Sequence, residues 1–182
     1  MTHTLEIRTA EELATLGVSA RTAAALPRLP QPPAGVQTLI YCDGACSGNG
    51  ARTASPGGWG AVLLSADKTL VAFDNSPDTT NNKMELCAAI EALRLTAVGA
   101  SVLVRTDSQY VIKGCTEWRK GWVRNGMRNS KKEPVANADL WHLLWAEVDA
   151  RRVKLEWVRA HNGDPGNELA DELAVCATKR RR

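Results

Sequence analysis

Two segments of this chain, TLIYCD (38–43) and SVLVRTD (101–107), each read as a β-strand that ends in an aspartate. In the first, Leu39 and Tyr41 lie on one face and Ile40 and Cys42 on the other, so both faces are apolar. That is the pattern of a strand buried inside a sheet, and such a strand needs a layer packed on each side. A chain of 182 residues that is 44% hydrophobic and 24% charged can supply those layers as one well-buried domain with an appendage.

The rest of the pattern fits around these two strands. WGAVLL (59–64) and TLVAFD (69–74), separated by Ser65-Ala66-Asp67-Lys68, read as strands joined by a tight turn, which with TLIYCD makes a meander. NNKMELCAAIEALRL places Leu86, Ile90 and Leu93 at helical spacing, with Asn81 or Asn82 available as the cap and Glu85 in the first turn. A helix between the meander and SVLVRTD predicts a parallel crossover. Residues 108–122 read as mainly helical, Asp139 can cap a helix carrying Leu140, Leu143 and Leu144, and VKLEWV (153–158) alternates Val153, Leu155 and Trp157 against Lys154 and Glu156. A last helix, from about Gly166, buries Leu169, Leu173 and Cys176. The predicted order is β-β-β-α-β-α-α-β-α, a mixed sheet with helices on its faces.

Residues 1–36 differ in character. They hold no aromatic residue and end in the proline-rich PRLPQPPAG, which reads as a semi-rigid linker. Thr9 and Glu12 have capping-box spacing and Ser19 can cap a second short helix, but so short a segment buries little and is expected to be a poorly ordered extension. The expected division is therefore an extension over 1–36, a catalytic domain over 37–178 and a basic tail over 179–182.

Net charge is +3, and Lys179, Arg180, Arg181 and Arg182 alone exceed it, so a nucleic-acid footprint must be sought as a local patch. One occurs at WRKGWVRNGMRNSKK (118–132), where Arg119, Lys120, Arg124, Arg128, Lys131 and Lys132 interleave with Trp118 and Trp122. A charge run is also what a solvated helix face looks like, and tryptophans four apart also serve as core anchors. The five cysteines form no C-x-x-C pair and read as reduced, buried thiols. The N-terminus has no basic segment leading into an apolar run and no stretch reaches membrane-spanning length, so a cytoplasmic protein with no membrane partner is expected, working as a monomer.

If the first and fourth strands are parallel neighbours, Asp43 and Asp107 lie side by side at their carboxyl ends, where ligands of α/β sheets bind. Like charges that close call for a compensating cation, and Glu85 could join them. Taken singly, each acid also reads as a turn or helix-terminus residue, Asp171 as a solvated helix residue, and His161 as a loop-packing histidine.

The motifs YCDGACSGNG, TTNNKMEL, RTDSQYV and HNGDPGNELAD, in that order over residues 38–177, resemble the bacterial type of ribonuclease H, the ribonuclease HI family. The resemblance implies the ribonuclease H-like α/β fold, a five-stranded mixed sheet of antiparallel meander plus parallel strands with helices on both faces. It implies Asp43, Glu85, Asp107 and Asp171 as metal-binding acids and His161 as a mobile histidine beside them. Hard oxygen ligands suit Mg²⁺, with Mn²⁺ as a substitute, and two such ions ~4 Å apart serve RNA-strand hydrolysis in an RNA/DNA hybrid, leaving 5′-phosphate and 3′-hydroxyl ends.

It further implies that Asn49, Asn81, Asn82 and Gln109 contact the hybrid's minor groove, with Cys46 and Thr80 bordering the backbone. Asn167 would orient Asp171 or touch the substrate. Trp118, Arg119, Lys120, Trp122, Arg124 and Arg128 would belong to a basic protrusion that grips the DNA strand, although Met127 stands where the family often carries an aromatic residue. Rival readings are a DNA-directed nuclease of the same fold and a non-catalytic hybrid-binding protein.

Overall fold

The fold was obtained as a computed structural model that describes residues 2–47 and 55–180. At its centre is the predicted doubly buried strand, β2 (Thr38–Cys46). Leu39, Tyr41, Ile40 and Cys42 are all buried, the first pair in one apolar cluster and the second in another, because successive side chains of a strand face opposite ways. β2 pairs antiparallel with β3 (Ser55–Leu64), and β3 with β4 (Thr69–Thr79). The turn between β3 and β4 is closed by the Ser65 amide donating to the Lys68 carbonyl.

On its other side β2 pairs in parallel with β5 (Ser101–Thr106), which pairs in parallel with β6 (Arg152–Trp157). The expected sheet of five strands has a sixth. β1 (His3–Ile7) adds antiparallel to β4, giving the order β1-β4-β3-β2-β5-β6 among the described residues. β1 is held through backbone pairing at the sheet edge and buries only Ile7, so its sequence carries almost no apolar signature.

Helices cover both faces. On one, α3 (Asn81–Arg94) buries Leu86, Ile90 and Leu93 against Ile40, Val102 and Val104. Its cap is Thr80, whose hydroxyl accepts from the Lys83 amide at 3.4 Å, rather than Asn81 or Asn82. Gly44 in β2 lets the first turn of α3 come close, since a β-carbon there would lie 2.3 Å from the Glu85 amide nitrogen.

After β5 come α4 (Gln109–Lys113), a single π-helical turn (Gly114–Trp118) and α5 (Arg119–Arg124). α6 (Ala138–Asp149) presents Trp141, Leu144 and Trp145 to the core and leaves Leu143 43% exposed. It starts after Asn137 in a left-handed conformation, with Asp139 inside the first turn instead of at the cap. The opposite face is covered by α7 (Pro165–Thr178), which buries Leu169 and Leu173 against Leu39 and Tyr41, while Cys176 is only half-buried. Of the five free thiols only Cys42 is buried, so the expectation of buried cysteines holds for one. No helix among the described residues is long and apolar enough to cross a membrane.

The N-terminal segment is ordered on the α7 face. α1 (Ala10–Thr15) carries the capping box, with the Glu12 amide donating to the Thr9 hydroxyl at 3.2 Å and the Thr9 amide to Glu12 Oε2 at 3.0 Å. α2 (Ala20–Ala23) docks on α7: the Ser19 amide and the Ser19 and Thr22 hydroxyls all donate to the Glu172 carboxylate, at 2.6–2.8 Å. Ile7, Leu13, Val18 and Ala23 join the cluster that holds Tyr41 and Leu169. Local spacing underestimates such a segment because its partners lie far away in sequence.

Leu13 is fully buried, so Leu13→Ala should destabilise the whole protein by about 2–4 kcal/mol and move its single urea transition to lower denaturant, whereas an independent extension would leave that transition in place.

Candidate active site

The parallel ladder of β2 and β5 runs from Thr38 beside Val102 to Tyr41 beside Arg105, and Asp43 and Asp107 both stand two residues further on. They differ in one respect from the expected pair of strand ends. Asp107 follows β5 by one residue, but Asp43 lies within β2, which goes on pairing with β3 as far as Cys46. Asp43 sits opposite Gly60 in that antiparallel ladder, so its backbone is fixed although its parallel neighbour has ended.

The other two acids approach from the two helical layers. Glu85, in the first turns of α3, accepts from the Asn81 side-chain amide at 2.9 Å and from the Ser108 hydroxyl at 2.6 Å. Those bonds orient the carboxylate, and the same Ser108 hydroxyl accepts from the Val111 amide to cap α4. Asp171 comes from α7 on the other face, which settles its orientation: it faces the sheet edge, half-buried, instead of pointing into solvent.

Asn167, one turn earlier on α7, does not orient Asp171 as expected. Its side-chain amide donates to Asp107 Oδ2 at 3.0 Å, tying α7 to the end of β5. The acid is held from behind as well, since the Trp157 indole donates to the Asp107 carbonyl at 3.0 Å. Trp157 was expected on a buried strand face but is 47% exposed, because β6 is an edge strand whose end lies beyond the helical cover.

Electrostatics mark this edge as anionic and under strain. Burial, and then Asp107, push the Asp43 carboxyl up from 3.8 to about 8, with Asp171 and Glu85 adding to the shift. Burial raises Glu85 too, against the opposing hydrogen bond from Ser108. Asp171 is raised chiefly by burial and, among charges, by Asp107, while His161 and a hydrogen bond with Asp43 pull it back.

Among the described residues no three acidic, imidazole or thiol groups form a closed ligand cluster. The donor set nevertheless fits a hard divalent cation: up to four carboxylates and amide oxygens, with no soft ligand. Asn167 Oδ1, fully enclosed, accepts no hydrogen bond, so a polar atom beside the acids is still unsatisfied.

His161 lies on the loop between β6 and α7. Its backbone is left-handed, φ 49°, its side chain is 80% exposed, and Nδ1 is 3.8 Å from Asp171 Oδ2. The loop is anchored at Asp164, which caps α7 by accepting from the Gly166 and Asn167 amides. Asp164 is in turn linked to the sheet: the Tyr41 hydroxyl donates to it at 3.3 Å and accepts from Arg105 at 2.9 Å, and Arg105 donates to Glu156 at 2.7 Å. A β-carbon at Gly166 would fall 2.3 Å from the Tyr41 ring, so glycine is what brings the start of α7 down onto this chain of contacts. Nothing in the sequence pattern singles out Tyr41, Arg105, Asp164 and Glu156 as a group, and only the parallel register of β2, β5 and β6 aligns them.

Of the other expected contacts, Thr80, Asn82 and Gln109 are exposed around the acid cluster, while Asn81 is engaged with Glu85. Cys46 turns its thiol to the Ser55 and Thr79 carbonyls, at 3.6 and 3.7 Å. Asn49 lies outside the described residues. On the protrusion Lys120, Arg124 and Arg128 are exposed. Arg119 is not available in the same way, because both its terminal nitrogens donate to Asp149 and its guanidinium lies over the Trp145 ring. Trp118 and Trp122 pack with Tyr110, Trp141 and Trp145, neighbouring rings being 4.9–6.4 Å apart, and so build the base of the protrusion.

The fold and this edge define an α/β protein with an anionic site suited to divalent cations, beside an exposed cationic ridge. A profile of the RNase H family matches residues 36–179. Ribonuclease H of Bordetella avium is 48% identical over 143 residues, 79% of this chain and 90% of that protein. Ribonuclease HI of Pseudomonas aeruginosa is 49% identical over 138 residues, 76% of this chain and 90% of that protein. Among solved structures, LC9-RNase H1, described as a type 1 RNase H with the type 2 active-site motif, superposes with a TM-score of 0.71 at 32% identity, covering 82% of this chain and 74% of that one. The chain belongs to the ribonuclease H family.

The Asp43 carboxyl sets a pH dependence for the metal-free protein. Its folded pKa of about 8 lies above its ordinary 3.8, so the folded state holds a proton that the unfolded state has lost in between, and stability falls as pH rises through that window. Asp43→Asn should therefore raise stability at pH 8 by about 1–3 kcal/mol and leave it unchanged near pH 3, as read by urea unfolding in EDTA.

Proposed function

We propose that this chain is an endoribonuclease that hydrolyses the RNA strand of RNA/DNA hybrids, leaving 5′-phosphate and 3′-hydroxyl ends. The observation that carries the reading is the approach of Asp43, Glu85, Asp107 and Asp171, from β2, the residue after β5 and two opposite helical layers, at the carboxyl end of the two central parallel strands, in a chain about half identical to named ribonucleases H over most of their length. Four half-buried acids, of which Asp43, Glu85 and Asp171 have raised proton affinities, serve no packing purpose, and a structural protein would gain by replacing them.

The four carboxylates would hold two Mg²⁺ ions, with Mn²⁺ as a substitute. When bound, the ions supply Lewis acidity that activates the attacking water and stabilises the departing 3′ oxygen. The chain's own residues do the rest. Ser108 and Asn81 fix the Glu85 carboxylate, and Asn167 and Trp157 fix Asp107 at its side chain and its carbonyl, so the acids need little reorganisation to accept cations. His161, exposed and close to Asp171, is placed to move a proton at the mouth of the site. Thr80, Asn82 and Gln109 offer polar groups to the 2′-hydroxyls and backbone of an A-like minor groove. Lys120, Arg124 and Arg128 supply sequence-independent phosphate contacts, while Arg119 and the tryptophans keep their shape. Free cysteines suit a reducing compartment, in keeping with a cytoplasmic enzyme.

With Mg²⁺, the protein should make internal cuts in the RNA strand of a hybrid and none in duplex DNA. Asp107→Asn should lower kcat by at least ~10³-fold with little change in hybrid binding. Equal cleavage of duplex DNA, or an active Asp107→Asn variant, would falsify the reading.

The protrusion gives a separate expectation. Lys120→Ala/Arg124→Ala should raise KM and lower the slope of log affinity against log salt by about 2, at ~0.9 for each phosphate no longer neutralised. Arg119→Ala should instead lower the melting temperature and leave that slope alone, because its partners are Asp149 and Trp145.

A further inference from the structure

The family profile begins at residue 36, so nothing in it accounts for the N-terminal strand and helices. We propose that Arg21 and Arg28, carried by this segment, form a phosphate-binding site for the nucleic-acid backbone on the flank of the acid cluster opposite the basic protrusion. The proposal rests on the hybrid-hydrolase reading above.

Arg21 lines a cleft of about 300 Å³ together with Thr22, His161, Glu168, Asp171 and Glu172. It also lines an adjoining groove of about 330 Å³ whose other walls include Arg28, Gly163 and Pro165. A cation from the N-terminal segment thus shares walls with the proposed catalytic acid on one side and with the histidine loop on the other. α1 and α2 belong to the α7 face, whereas α5, which carries Lys120 and Arg124, packs through Trp122 on the α3–α6 face. A duplex laid across the acid edge would meet cations on both flanks.

The site is held in place. α2 is pinned by Ser19 and Thr22 on Glu172 and by burial of Thr22 and Ala23, so the Arg21 backbone is fixed while its side chain stays in solvent. Among the described residues neither the Arg21 nor the Arg28 guanidinium closes a hydrogen bond or salt bridge, and both residues are exposed, so their side-chain donors face solvent. Of the acids nearby, Glu172 has its carboxylate oxygens engaged by three hydrogen bonds from Ser19 and Thr22. Glu168, the acid lining both cavities, sits in the first turn of α7, where the helix dipole favours it.

In the groove that both residues line, two exposed guanidiniums face one carboxylate, Glu168, and guanidinium forks match phosphate oxygens bidentately. The anion that must lie beside Asp171 during the proposed reaction is a phosphodiester of the substrate. Arg21 and Arg28 would therefore extend the footprint along the same backbone and add to affinity without touching the reacting atoms.

Binding of a fluorescent RNA/DNA hybrid to the full chain, followed by anisotropy in EDTA over a salt series, tests this apart from catalysis. Arg21→Ala/Arg28→Ala should weaken binding about tenfold and reduce the salt slope by roughly 1–2, with kcat in Mg²⁺ within about twofold of wild type. Arg21→Lys/Arg28→Lys should restore most of the slope, which a purely structural role would not predict. Matching melting temperatures, with Arg21→Gln/Arg28→Gln as a second neutral pair, separate weaker phosphate binding from impaired folding. Unchanged affinity and slope in a folded variant pair, while wild type still cleaves the hybrid, would overturn the arginine site and leave the enzyme reading standing. A wild type that neither binds nor cleaves hybrid would overturn both.

Discussion

The parallel register of β2 against β5 is the constraint on which the rest of this structure depends. By setting Tyr41 beside Arg105, it brings Asp43 and Asp107, each two residues further on, near one another at the carboxyl end of the two central parallel strands, half-buried between the helical layers. Two carboxylates in such a place repel each other and lose hydration, and the result is the raised proton affinity of Asp43. A scaffold that maintains this arrangement stores electrostatic free energy that a divalent cation would release. The surrounding hydrogen bonds, from Ser108 and Asn81 to Glu85 and from Asn167 to Asp107, aim the acids without neutralising them.

The two helical layers do different work around that edge. The α3–α6 layer is rich in aromatic packing, and its Tyr110, Trp118, Trp122, Trp141 and Trp145 cluster gives the cationic ridge a rigid base. The α7 layer is tied to the sheet by polar links, through Asp164, Tyr41, Arg105 and Glu156 on one side and Glu172 on the other. The N-terminal segment belongs to this second layer. Its contacts with α7 place Arg21 in a cleft with His161 and Asp171, and Arg28 in the adjoining groove.

Much of the fold and the site was legible in the chain. The doubly apolar TLIYCD, the helical spacing of Leu86, Ile90 and Leu93, and the order of elements all lead to the observed central strands and crossover. Glu85 at the start of a helix and Asp43 and Asp107 near strand ends were visible as motif positions. The signal failed where a residue's role depends on what faces it. β1 binds through its backbone and buries one side chain, so its period says little. Trp157 looks like a core residue in an alternating strand and is exposed because that strand is the last in the sheet. Arg119 is indistinguishable in sequence from Arg124, yet Asp149, 30 residues away, removes it from the set of free cations.

By itself the sequence determined which segments must be buried, where the acids fall along the chain and which family the ordered motifs resemble. These are matters of local period and of residue identity. Only the tertiary structure decided that Asp171 turns inward, that Asn167 serves Asp107, that the N-terminal segment closes the sheet edge, and that Arg21 shares a cleft with His161 and Asp171. Each of these depends on the register and facing of elements distant in the chain, which burial and hydrogen bonding fix jointly and which no local pattern encodes.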